Sequence, residues 1–128
     1  MNTRWMRRAI ALAVDNVTSE GGAPFGALVV QHGDVVAEAT NRVHATDDPT
    51  AHAEVMAIRK ACSALGRSDL GGCTLYTSCE PCPMCAAAVY WARLDRVYYA
   101  VSHARAGTVG FDDAPIKEQL QQAPAERT

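Results

Sequence analysis

The chain of 128 residues balances 12 Lys and Arg against 14 Asp and Glu, a formal charge of −2, with 48% apolar and 20% charged residues. That length suits one domain with a real core, and the charge argues against a nucleic-acid partner, since binders of polyanions carry a basic excess. No apolar run reaches the roughly 18 residues that span a bilayer, and the basic start at Arg4, Arg7 and Arg8 leads into a helical pattern rather than a signal peptide. A cytoplasmic protein without a membrane partner is expected.

Residues 3–18 read as an amphipathic helix, with Met6, Ile10, Ala13, Val14 and Val17 forming the stripe that covers a sheet. Gly21-Gly22 ends it. The apolar run 25–30 is a buried strand, His32-Gly33-Asp34 a solvated turn, and 35–39 a returning strand, which makes a hairpin. Gly22, Pro24 and Gly26 bend the chain just ahead of the first strand, where it can wall a pocket. A polar loop from Asn41 runs to Thr50, placed as the N-cap of a helix over 51–65 whose face carries Val55, Ile58, Ala61 and Leu65.

A third strand over 74–78 follows Gly71-Gly72. Cys82 then caps a helix with Pro83 at its first position, where a missing N–H costs nothing. Its continuation over 86–92 is apolar nearly all round and is expected to be buried. Residues 96–101 form the fourth strand. Beyond it the pattern weakens: 102–110 is a loop or short helix, Phe111-Asp112-Asp113 a polar turn, 116–122 a last short helix, and 123–128 carries no signal. A hairpin followed by alternating helices and strands makes an α/β fold, three layers around a mixed central sheet, in a single domain over 1–128. Ligand sites in such folds gather at the carboxyl ends of strands.

Two stretches carry the chemistry: Thr50-Ala51-His52-Ala53-Glu54 and Cys79-Glu80-Pro81-Cys82-Pro83-Met84-Cys85. His52, Cys82 and Cys85 supply three zinc ligands and leave a fourth tetrahedral position for water, with Glu54 a carboxylate beside it. Cys82 and Cys85 project to one side of their helix, at the positive end of its dipole, which favours thiolates. On a regular helix His52 and Glu54 would stand about 200° apart, so they converge only if His52 sits in an irregular first turn. The bland alternative is a closed structural site with Cys79 as fourth ligand, in a zinc-bearing interaction module. Five cysteines without a secretory signal do not make a disulfide framework; Cys62 and Cys73 read as small buried apolar residues.

The order H-x-E…P-C-x-x-C is the signature of zinc nucleobase deaminases. With it the chain resembles the cytidine deaminase superfamily, and within it the bacterial guanine deaminases. The runs Asp48–Glu54 and Tyr76–Cys85, then Tyr90-Trp91-Ala92-Arg93 and Gly110-Phe111-Asp112-Asp113, carry that likeness. It implies a cytidine deaminase-like fold, one zinc per chain, Glu54 as the proton shuttle, and hydrolysis of guanine to xanthine and ammonia. It further implies that Asn41 and the backbone of Ala53 bond the purine edge, that Phe25 and Trp91 wall it, and that Asp113 accepts from ring N–H groups. Trp91 and Phe25 as core residues, Asn41 as a turn residue and Asp113 as an N-cap are the competing readings. His44 and His103 are expected to be solvated, with His103 close enough in sequence to Asp113 to approach the pocket.

The resemblance also implies a homodimer. Relatives continue past this point with a last strand and helix that can cross to the partner and close its site. Either a naturally short form or a chain without its lid is therefore expected. Deaminases of cytosine, guanosine or aminotriazines, and the tRNA adenosine deaminases that share Asp48–Glu54, remain the alternative substrate classes.

Overall fold

The computed structural model describes residues 1–111 and 113–128, so the part of the expected turn at Asp112 lies outside the described residues. Helix α1 (Thr3–Thr18) is followed by strands β1 (Gly26–Gln31) and β2 (Asp34–Thr40), a short helix α2 (Val43–Thr46) and helix α3 (Ala53–Leu65). Strand β3 (Cys73–Cys79), helix α4 (Pro83–Ala92), strand β4 (Arg96–Val101) and helices α5 (His103–Gly107) and α6 (Ala114–Gln121) complete the order, before a 3-10 turn at Pro124–Glu126. Among the described residues no helix is long and apolar enough to cross a membrane, and all five cysteines are free.

The sheet runs β2-β1-β3-β4, and only the last pair is parallel. It is the mixed central sheet of an α/β/α sandwich. The hairpin closes through His32 and Gly33, both with positive φ (52° and 77°), the conformation whose twist matches that of the flanking strands. Strand β1 is buried on both faces, as its unbroken apolar run requires. Leu28 and Val30 meet Trp5, Met6 and Ala9 of α1 on one side. Ala27 and Val29 meet Ala53, Ala57 and Ala61 of α3 on the other.

Packing corrects several expectations. On α1 the buried residues are Trp5, Met6, Ala9, Ala13 and Asn16, while Ile10, Val14 and Val17 stand 43%, 57% and 45% exposed. The helix has rotated its small residues onto the sheet because Gly26 lets the backbones touch: a Cβ there would lie 2.5 Å from the Ala9 carbonyl oxygen and 2.7 Å from the Ala13 nitrogen. Helix α3 uses the same device, burying an alanine stripe at 53, 57 and 61 while Val55 and Leu65 stay half-buried.

Thr50 does not cap α3. Its N–H and hydroxyl donate to Asp48 Oδ1 at 2.8 and 2.6 Å, closing a turn of the loop, and the helix starts later, with His52 at the N-cap. Helix α4 is not enclosed either. Only Cys85 and Ala92 are buried along it, and Tyr90 and Trp91 are 84% and 85% exposed, because it lies at the flank of the sheet with one narrow face inward. The C-terminal turn, unsignalled in the sequence, is tied down by Arg127, whose Nε donates to the carbonyls of Gln119 and Gln122 at 2.9 and 3.2 Å.

Since the neighbours of Gly26 are backbone atoms that cannot swing aside, Gly26→Ala should cost about 1–3 kcal/mol of folding free energy. Urea unfolding followed by circular dichroism checks this, and an unchanged midpoint would show that α1 is free to lift away.

Candidate active site

Strands β2 and β3 flank β1 and finish at the same end of the sheet, and the segments that leave them there carry the first turns of α3 and α4. His52 has extended backbone (φ −67°, ψ 154°), so its ring leaves the helical lattice while Glu54 stays within the first turn. That removes the 200° objection: His52 is outside the helix to which Glu54 belongs. Cys82 is likewise an extended N-cap, its Sγ accepting from the Cys85 N–H at 3.5 Å, with Pro83 in the first turn.

His52 Nδ1, Cys82 Sγ and Cys85 Sγ lie within 4.8 Å of one another, and Nδ1 is 3.5 Å from each sulfur. Tetrahedral zinc with bonds of about 2.0–2.1 Å to nitrogen and 2.3 Å to sulfur spaces such donors about 3.5 Å apart. The three residues therefore fit zinc. Cys79 is outside the cluster among the described residues. Burial first, then the nearby Glu54, Asp113 and Glu80 carboxylates, push its thiol up to about 11, so it stays protonated.

The electrostatics favour a cation. The Cys82 thiol is drawn down to about 4, chiefly by the hydrogen bond from the Cys85 thiol, with His52 assisting against the cost of burial. Cys85 keeps the shared proton, its own thiol pushed up by Cys82 and by burial. His52 is raised by its bond to Cys82 against the opposing effect of burial. Glu54, 6% exposed, is raised mainly by burial, which suits a carboxyl group that must take up and release protons.

These residues open onto a cavity of about 480 Å³ lined by Phe25, Asn41, His52, Glu54, Cys79, Cys82, His103, Phe111 and Asp113, among others. Phe25 therefore lies in the wall, and it stacks edge-to-face on Phe111 with ring centroids 5.0 Å apart. Asn41 Oδ1 accepts from the Val43 N–H at 3.1 Å, the turn role, while its residue still faces the cavity. Asp113 occupies the N-cap position of α6 but makes no cap bond with its side chain. Instead its Oδ2 is buried without a hydrogen-bond partner among the described residues, 3.4 Å from His103 Nε2.

Ala53 is fully buried between two lining residues. Trp91 stands 85% exposed on α4, outside the lining of this cavity. His44 stands exposed at the rim, as expected. His103 is not solvated: its side chain is 15% exposed, held between Pro81 and Asp113.

Two further residues escaped sequence reasoning. Phe111 stands in a turn and in a run that carries the family likeness, and nothing local marks it as a wall. Asn16 Nδ2 donates to the carbonyls of Ala23 and Asn41 at 2.8 and 3.1 Å, pinning the bend before β1 to the end of β2. Its signal was available: a polar side chain on the same helix face as Ala9 and Ala13, where only a partnered polar group survives burial.

Comparison with known proteins follows the same lines. The family model described as "Cytidine and deoxycytidylate deaminase zinc-binding region" matches residues 1–101. The chain is 51% identical over 124 residues to guanine deaminase of Bacillus subtilis (strain 168), covering 97% of this chain and 80% of that protein. It is 48% identical over 86 residues to a tRNA-specific adenosine deaminase of Agrobacterium fabrum, 67% of this chain but 57% of that protein. An X-ray structure of guanine deaminase from Bacillus subtilis superposes with a TM-score of 0.97 at 50% identity, covering 100% of this chain and 82% of that one.

Cys82→Ser should lose bound zinc, whereas Glu54→Ala and Cys79→Ala should keep it, since neither side chain belongs to the donor set. Metal analysis of the purified variants checks all three, and zinc retained by Cys82→Ser would mean that other donors hold it.

Proposed function

The chain belongs to the cytidine and deoxycytidylate deaminase family, and from that premise we propose that it hydrolyses guanine to xanthine and ammonia with one zinc per chain. The observation that carries the choice of base is the buried, unbonded Oδ2 of Asp113 in the cavity wall. Guanine offers an N1–H donor where adenine offers an acceptor, so a carboxylate there favours guanine and leaves adenine facing an unpaired buried group. Similarity to guanine deaminase along 97% of the chain supports the same reading.

His52, Cys82 and Cys85 would hold the zinc, which when bound would lower the pKa of a water toward neutrality. The protein's own residues do the rest. Glu54, raised by burial, accepts the proton of the attacking water and delivers protons to the adjacent ring nitrogen and then to the departing amine. Asn41 Nδ2, which meets no protein acceptor among the described residues, donates to an acceptor on the purine edge, with the backbone of Ala53 beside it. Phe25 and Phe111 supply the apolar wall against the ring and keep water from its face.

The net charge of −2 weighs against a tRNA substrate, which needs a basic surface. The domain over 1–128 acts as a homodimer in the cytoplasm; exposed Tyr90 and Trp91 on α4, and Ile10, Val14 and Val17 on α1, support the association, and five unpaired thiols suit a reducing compartment.

Ammonia release from guanine, guanosine, cytosine, adenine and a tRNA anticodon stem separates the substrate classes, with guanine expected to react. Turnover of the tRNA stem without turnover of guanine would overturn the assignment. Glu54→Ala should lower the rate on guanine by roughly 10²–10⁴-fold with zinc retained. Asp113→Asn should lose most of the guanine activity while binding metal as the parent does, and a variant as active as the parent would remove Asp113 from the site.

A further inference from the structure

Resting on the reading that Asp113 faces the substrate, we propose that His103 and Lys117 are positioning residues for the deamination site. Lys117 fixes the His103 imidazole as its Nε2–H tautomer, and that hydrogen, bonded to the Pro81 carbonyl, holds the loop ahead of Cys82 in register and presents no lone pair to the Asp113 carboxylate beside it. The two ring nitrogens face opposite kinds of neighbour. Nε2 lies 2.6 Å from the Pro81 carbonyl oxygen and 3.4 Å from Asp113 Oδ2. Both are acceptors, so a hydrogen on Nε2 is welcome and a lone pair there would meet two oxygens.

On the other side, Nδ1 is contacted by the Lys117 ammonium and lies 3.4 Å from Glu80 Oε2. An ammonium has hydrogens to give and no lone pair. While Lys117 holds Nδ1, that nitrogen accepts and the ring hydrogen resides on Nε2. Without Lys117 the Glu80 carboxylate favours the hydrogen on Nδ1, which turns the Nε2 lone pair toward Pro81 and Asp113. The His103 backbone N–H donates to Glu80 Oε1 at 3.0 Å, which ties the start of α5 to the loop ahead of Cys82. One imidazole thus couples the segment that carries Asp113 to the segment that presents Cys82, and a lysine on α6 sets which way it couples.

The test uses the full zinc-loaded chain. Nitrogen-15 shifts of the labelled histidines should report His103 protonated at Nε2 in the parent and shifted toward Nδ1–H in Lys117→Met. With guanine as substrate, Lys117→Met and His103→Phe should raise KM roughly tenfold with kcat and zinc content little changed, while Lys117→Arg, which keeps a donor, stays at parent values. An Nδ1–H imidazole in the parent, parent-like KM in Lys117→Met, or loss of zinc in both variants would each overturn the proposal. A parent silent on guanine would overturn the substrate reading instead, and the nitrogen shifts would still decide the tautomer.

Discussion

Three donor atoms on two helix starts must meet at one point, and the rest of the molecule is arranged to make them do so. His52 and Cys82 are both N-cap residues with extended backbone, which frees their side chains from the helical lattice and lets them turn toward each other across 3.5 Å. The unpaired N–H groups of both helix starts favour negative charge at the same place. Thiolate at Cys82 and carboxylate at Glu54 therefore sit where the backbone already stabilises them, while burial of Glu54 works in the opposite direction and keeps its proton exchangeable.

The sheet fixes the distance between those helix starts. β1 and β3 pair side by side, and the alanine face of α3 and the contact of α1 with Gly26 clamp β1 from both sides with small residues. Small residues bring backbones close and leave little room for sliding, so the site inherits the rigidity of the sandwich. Asn16 extends that control to the opposite wall, by holding the carbonyls of Ala23 and Asn41. The last wall arrives from far along the chain, where α5 and α6 bring His103, Phe111 and Asp113 over the opening.

The elements were largely readable because each has a strong local pattern. α1 and β4 run where the periodicity places them, and the Cys82-Pro83 start of α4 was marked by cap chemistry. The errors share a physical origin. Thr50 looked like a cap because Thr is a good one, yet Asp48 offered its hydroxyl and N–H a nearer partner. The apolar stripe of α1 and the apolar girth of α4 were real, but hydrophobicity says which residues prefer burial and not which have something to be buried against. Ile10, Val14, Tyr90 and Trp91 remain exposed for that reason.

The ligand trio and its acidic neighbour were legible through the known order H-x-E…P-C-x-x-C, and the three-layer sandwich through the alternation of helices and strands. What folding in space decided was everything set by packing between distant segments. That His52 leaves the helix to which Glu54 belongs rests on its extended backbone, and that Asn16 reaches Asn41 and His103 reaches Pro81 rests on contacts 25 and 22 residues apart. A sequence states local preference, and only the closed structure settles which of several satisfied partners each polar group meets.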